Sequence, residues 1–299
     1  MASAVGSGPG PRWGGWVRLP PVPGAPPART NELLLLPAPE PRARPRPRHH
    51  LLYFPGDVQN YGEVMARHPE NVQWDRWSLE SVAALLSARF PGSHVWVVKC
   101  SRMHLHKFSC YDNFVRSNTF GAPDHSPDFG ALRHLRALLT NAFALARDAL
   151  RAGDAGEEEE EEEEERPESA SFTLIGFSKG CVVLNQFLFE LKGARADRDL
   201  AAFLRTVRAM YWLDGGHSGG SDTWVTCPEA LWELSRTGIS VHAHVTPYQV
   251  RDPMRSWIGR EHGLFVQILA DLGVGVKGQV HFAKEAPSID NHFRVHEVF

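Results

Sequence analysis

Along most of this chain, short apolar runs of strand length alternate with longer stretches of helical period. Trp16–Leu19 and Glu32–Leu36 read as two opening strands with turn residues, and no helix, between them. Leu51–Phe54 follows as a third strand. Val95–Val98 is a fourth, continuously apolar as a strand buried on both faces requires. Between these two, Val82, Leu85, Leu86 and Phe90 share one face of a helix over 79–90; after the fourth strand, Leu132, Leu135, Leu139, Ala142 and Ala146 recur at helical spacing over 128–150. Further on come a strand at Phe172–Phe177 with an apolar helical run after it and a helix from about Leu200. Then follow a strand at Ala209–Leu213, a helix over Pro228–Arg236 with proline at its tolerant first position, and a strand at Ile239–Val245. A helix over Met254–Leu272, a last strand over Val274–Phe282 and a tail to Phe299 close the pattern. Residues 100–127 are polar, rich in histidine and aromatics, and follow neither period.

The junction at 172–191 carries the most information. Phe172-Thr-Leu-Ile-Gly-Phe-Ser-Lys-Gly180 runs from strand to helix through Gly-x-Ser-x-Gly, with Gly176, Ser178 and Gly180 at the three fixed positions of a nucleophile elbow. A strand that turns into a helix within about one residue strains the serine backbone, and side chains two residues either side of it would collide, hence the glycines. Such a turn lifts the serine hydroxyl clear of the sheet and aims the next backbone N–H, that of Lys179, at a developing oxyanion. Two helix-free strands, then β–α alternation, with the elbow after the fifth strand, predict an α/β-hydrolase fold: a mostly parallel central sheet with helices on both faces. The expected organisation is one domain over 13–299 behind a flexible 1–12, with a disordered acidic insert at about 152–170.

Charge changes the picture only locally. The formal net charge is −3, but Glu157–Glu165 are nine consecutive glutamates, and −3 + 9 = +6 for the remainder. The tract repels itself and reads as a solvated insertion in a mildly basic protein. No run of about 18 apolar residues is present, so no membrane span is expected. Four cysteines (Cys100, Cys110, Cys181 and Cys227), none in CxxC spacing, make no disulfide framework. The first fifty residues hold seven arginines and two acids, the composition of an organellar transit peptide. Their prolines oppose the amphipathic helix of such a peptide, and with two opening strands only about a dozen residues are expected to remain free ahead of the domain. The arginines lie in a proline-rich stretch rather than on a regular element, so no nucleic-acid partner is expected.

A serine hydroxyl needs a base, and the base an orienting acid, in the chain order Ser, Asp or Glu, His. For the base the sequence offers His292, just past the last strand; His296 is the alternative and His281, inside the strand, the weakest choice. For the acid it offers Asp252, in the loop after the 239–245 strand, with Asp214, after the preceding strand, as the alternative. Asp252-Pro253 also has the form of a helix N-cap, and Asp214 also suits the glycine-rich turn after it. The second oxyanion donor is expected from Phe54-Pro-Gly-Asp-Val58, where Gly56 allows close approach and the N–H of Asp57 or Val58 would point at the site. The pairs His104/His106 and His242/His244 share a face if extended, but no cysteine or carboxylate completes a ligand set; neither metal nor cofactor is expected.

Several stretches are similar to one family. They are Tyr53-Phe-Pro-Gly-Asp-Val-Gln-Asn-Tyr61, Lys99 through Asn113, Phe172 through Gly180, Met210 through Gly220, His244 through Trp257 and Pro287 through Phe299. Together they resemble the hydrolase-like family whose human member carries a chromosome-2 open-reading-frame designation, over about residues 13–299. The resemblance implies an α/β-hydrolase-like fold and a mitochondrial location, without a substrate. The expected function is hydrolysis of an ester or thioester, with a small acyl compound as partner and the aromatic 100–127 segment as a cap. The alternative is a catalytically inactive scaffold that binds a protein partner.

Overall fold

The computed structural model describes residues 15–39, 49–151 and 166–299. The start expected to be flexible and the glutamate tract lie outside these residues; of the expected insert, 166–170 form a turn. Seven strands make the central sheet: β1 (Val17–Pro23), β2 (Thr30–Leu36), β3 (His49–Phe54), β4 (Ser93–Val98), β5 (Ser171–Phe177), β6 (Val207–Leu213) and β7 (Ser240–His244), in the spatial order β1-β2-β4-β3-β5-β6-β7. β2 pairs antiparallel with both β1 and β4, and every later pairing is parallel. Pro20 and Pro21, which cannot donate to a ladder, sit at the register shift of the edge strand β1. This is the strand order and direction of the α/β-hydrolase fold.

Side-chain alternation divides the core between the two faces of the sheet. Leu52, Phe54, Leu174, Met210 and Trp212 pack with helices α2 (Ala131–Arg151), α3 (Cys181–Ala196), α4 (Arg198–Leu204), α5 (Pro228–Ser235) and α6 (Ser256–Asp271). Leu51, Tyr53, Ile175, Phe177 and Leu213 pack on the other face with α1 (Leu79–Arg89) and α7 (Ile289–Val298). Ser78 caps α1 by accepting from Ser81 N–H, as its position before the apolar run predicts. Glu190, inside α3, reaches across to accept from the N–H groups of Gly130, Ala131 and Leu132, which open α2. Among the described residues no helix is long and apolar enough to cross a membrane.

Two elements differ from the expected pattern. The strand expected over 274–282 is reduced to two isolated parallel bridges, His242 of β7 with Lys277 and Val245, just past β7, with Val280. The tail after it is not irregular: Ser288 accepts from Asn291 N–H and starts α7, which carries both His292 and His296. The aperiodic 100–127 segment holds two short hairpins, over 102–110 and 116–124.

Candidate active site

Ser178 follows β5 directly and has φ +50°, a left-handed conformation that a serine adopts only where the surroundings impose it. The helix starts immediately, through one 3₁₀ turn into α3. Glycine is required on both sides. A Cβ on Gly176 would lie 2.9 Å from Cys181 Cα, and one on Gly180 would lie 1.9 Å from Phe54 O. A Cβ on Gly56, in the loop after β3, would come within 2.8 Å of Ser178 Cβ, so that loop lies against the serine. Ser178 keeps 7% of its surface exposed.

Sheet register brings the acid beside it. Leu213 pairs with Phe177, so the next residues on the two strands, Asp214 and Ser178, leave adjacent strand ends together. Asp214 is fully buried and also left-handed, at φ +46°, which aspartate tolerates better than most residues. Its Oδ1 accepts from Thr246 N–H and its Oδ2 from Thr246 Oγ1, both at 2.6 Å. His292 Nδ1 donates to Oδ2, also at 2.6 Å. That bond leaves Nε2 without a proton in the neutral ring, the form able to accept one. The His292 ring lies between Phe177 and Tyr248, with centroids at 4.6 and 4.8 Å. Among the described residues, neither Ser178 Oγ nor His292 Nε2 forms a hydrogen bond.

Asp252, the acid favoured from the sequence, is not on His292. Its carboxylate accepts from Met254 N–H and from Arg255 Nε, and this arginine holds its pKa below the usual carboxylate range. It is the N-cap that the following proline implied. Arg255 also donates to Gln249 Oε1 and to Tyr248 O, so Asp252 anchors the loop that sets Tyr248 on His292. Thr246 and Tyr248 had no signal in the sequence, because both act through contacts across the sheet edge.

The alternative bases are occupied elsewhere. His296 Nδ1 donates to Phe293 O, its Nε2 lies 2.8 Å from Tyr53 Oη, and its ring packs on Trp77 and Phe177. His281 Nε2 lies 2.9 Å from His244 Nδ1. His242 stacks on Tyr211 with centroids 3.8 Å apart, while His104 packs edge-on against Phe120 and His106 lies near His68.

On the oxyanion side, Gly56 N–H donates to Gln59 Oε1 at 2.8 Å and Val58 N–H donates to Lys107 O at 2.7 Å. The Val58 amide, one of the two donors expected, is therefore engaged. Asp57 N–H has no acceptor among the described residues, and Lys179 N–H lies in the first helical turn, where amides lack intrahelical partners.

Burial holds several imidazoles neutral: His134 and His217 at about 4, and His296 at about 3. In the unfolded chain each titrates near 6.5, so the stability it contributes is complete above that pH and is lost as pH falls toward the folded values. Each can cost up to about 1.4 kcal/mol per pH unit in that window. Asp57 and Glu190, raised by burial, offset part of the loss. The melting temperature is expected to fall steadily between pH 7 and pH 5; a flat profile there would contradict neutral burial of these rings.

The C2orf69 family model matches residues 18–153 and 146–275. The mouse "Mitochondrial protein C2orf69 homolog" is 60% identical over 311 residues, covering 93% of this chain and 85% of that protein. The human "Mitochondrial protein C2orf69" is 58% identical over 331 residues (95% and 86%), and the zebrafish homolog 51% over 311 (100% and 91%). Among solved structures, a thermostable esterase overlaps at a TM-score of 0.46 with 12% identity, over 95% of this chain and 60% of its own. Brefeldin A esterase, a bacterial homologue of human hormone-sensitive lipase, overlaps at 0.43 with 15% identity, over 94% and 71%.

Proposed function

We propose that this chain, which belongs to the C2orf69 family, is a serine hydrolase acting on a carboxylic ester or thioester. It is a mitochondrial protein. Ser178 Oγ attacks the acyl carbon while His292 Nε2 takes its proton, and Asp214 holds the ring in the receptive tautomer and stabilises the imidazolium that forms. The N–H groups of Lys179 and Asp57 receive the charge that develops on the carbonyl oxygen. His292 then returns the proton to the leaving group, and water repeats the sequence on the acyl-enzyme. The observation that carries this reading is the buried Asp214–His292 bond at 2.6 Å, formed where β6 and β5 end side by side at Asp214 and Ser178. Asp252 is not the acid in this reading; it anchors the loop that carries Tyr248. The aromatic 102–124 hairpins stand as a cap over an acyl group.

The open step between Ser178 Oγ and His292 Nε2 favours a second reading, a hydrolase-derived scaffold without turnover. Active serine hydrolases also show long catalytic hydrogen bonds before substrate is bound. A fluorophosphonate probe separates the two. A single adduct on the peptide carrying Ser178, in folded protein, is the expected result. Folded protein that takes up no probe would leave the scaffold reading standing.

A further inference from the structure

We propose that Lys179 and Ser109 are positioning residues that hold Asp57 with its main-chain N–H toward Ser178 and its carboxylate bonded to Ser109 and charge-compensated by Lys179; the proposal rests on the hydrolase reading. An aspartate is an awkward neighbour for an oxyanion. A full negative charge roughly 5–6 Å from a developing alkoxide, at an effective dielectric of about 20–40, would slow reaction about ten- to a hundredfold. Yet the N–H of this same residue is the one amide among Gly56, Asp57 and Val58 with no acceptor among the described residues. The surroundings resolve the conflict.

Lys179 is fully buried, an uncommon place for an ammonium. Its Nζ donates to Phe120 O at 2.7 Å and lies 3.7 Å from Asp57 Oδ2. Ser109, on the 102–110 hairpin, works from the other side. Its N–H donates to Asp57 Oδ1 at 2.7 Å, and its Oγ donates to Gly56 O at 2.8 Å. Tyr111 Oη donates to Pro55 O at 2.6 Å, and Lys107 O receives the Val58 N–H. The loop at 55–58 is therefore bonded to residues 107–111 at each of its four residues. Both carboxylate oxygens have partners on the cap or on Lys179. Burial raises the Asp57 pKa, and the lysine is the largest influence opposing that rise. Lys179 thus supplies an oxyanion donor through its main chain and, through its side chain, cancels the charge of the residue supplying the other.

The test uses the whole chain, the second-order rate constant for fluorophosphonate labelling, hydrolysis of p-nitrophenyl butyrate, and thermal unfolding of each variant. Lys179→Met should slow both reactions about ten- to a hundredfold. The double variant K179M/D57N should regain most of that loss, because asparagine keeps the Oδ1 acceptor for Ser109 N–H and loses the charge. Ser109→Ala, which removes the Oγ bond to Gly56 O and leaves the N–H bond to Asp57, should loosen the 55–58 loop and slow both reactions several-fold. A merely structural lysine would not be rescued by removing the aspartate charge at matched melting temperature. If K179M does not fold, K179M/D57N and S109A decide. A double variant as slow as K179M, or below a tenth of the wild-type rate where K179M cannot be measured, overturns the proposal; so does S109A at the wild-type rate. Wild-type protein that never labels sinks the hydrolase reading first, and this one with it.

Discussion

Asp214→Asn is expected to slow covalent capture of Ser178 by a fluorophosphonate about 10³- to 10⁴-fold, close to the background set by Ser178→Ala. The shape of the side chain is preserved, so the loss comes from protonation. Asp214 accepts three hydrogen bonds, two from Thr246 and one from His292 Nδ1. An asparagine that keeps its oxygen on Thr246 N–H turns its NH₂ toward the histidine. The imidazole then carries its proton on Nε2, where it cannot accept one from the serine. Stability should change far less, since a buried carboxylate is exchanged for a neutral group of equal size. Asp252→Asn is the control: its carboxylate caps a 3₁₀ turn and pairs with Arg255, and its rate should stay within about threefold of wild type. The measurement is the ratio of labelling rate constants for the two variants. An Asp252→Asn loss larger than the Asp214→Asn loss would return the acid to the β7 loop.

That pair of residues shows where the sequence is legible. Strand existence follows from local patterning, because each strand buries alternate residues on the two faces. The elbow is readable because its glycines hold fixed places around the serine, Gly176 against the backbone of Cys181 five residues on and Gly180 against Phe54 O at the end of β3. The choice between Asp214 and Asp252 is not local: it depends on the Leu213–Phe177 register and on where α7 delivers His292. Nothing between 246 and 256 records that distance. The sequence did hold a discriminating signal in the Asp252-Pro253 step with Arg255 three residues on, which is the composition of a cap already satisfied. Similarly, the Val58 amide is engaged by Lys107 O, about fifty residues away on a hairpin with no periodic pattern, and no local signal foretells that bond. The shortened last strand has the same cause. Gly278, at φ +144°, sits so close to β7 that a Cβ there would meet Ala243 O at 1.9 Å, and regular pairing is broken around it.

Gly180→Ala tests the elbow from the side of stability. The added methyl would lie 1.9 Å from Phe54 O and 2.6 Å from Phe54 C, both backbone atoms at the end of β3. A flexible side chain could swing away from such a contact, but Phe54 O belongs to the central sheet. Relief must therefore come from moving the start of α3 away from β3, which also pulls Ser178 off the 55–58 loop. Overpacking costs about 1–3 kcal/mol where side chains can adjust. A backbone contact this short belongs at or beyond the top of that range, about 3 kcal/mol or more, and should lower the melting temperature by about 6–12 °C. Gly193→Ala gives the comparison, because it lies in the same helix and a Cβ there meets nothing within 4 Å. That change should hold or raise stability by up to about 1 kcal/mol through helix propensity. Equal melting temperatures for the two variants would mean that β3 and α3 do not meet as closely as the elbow geometry requires.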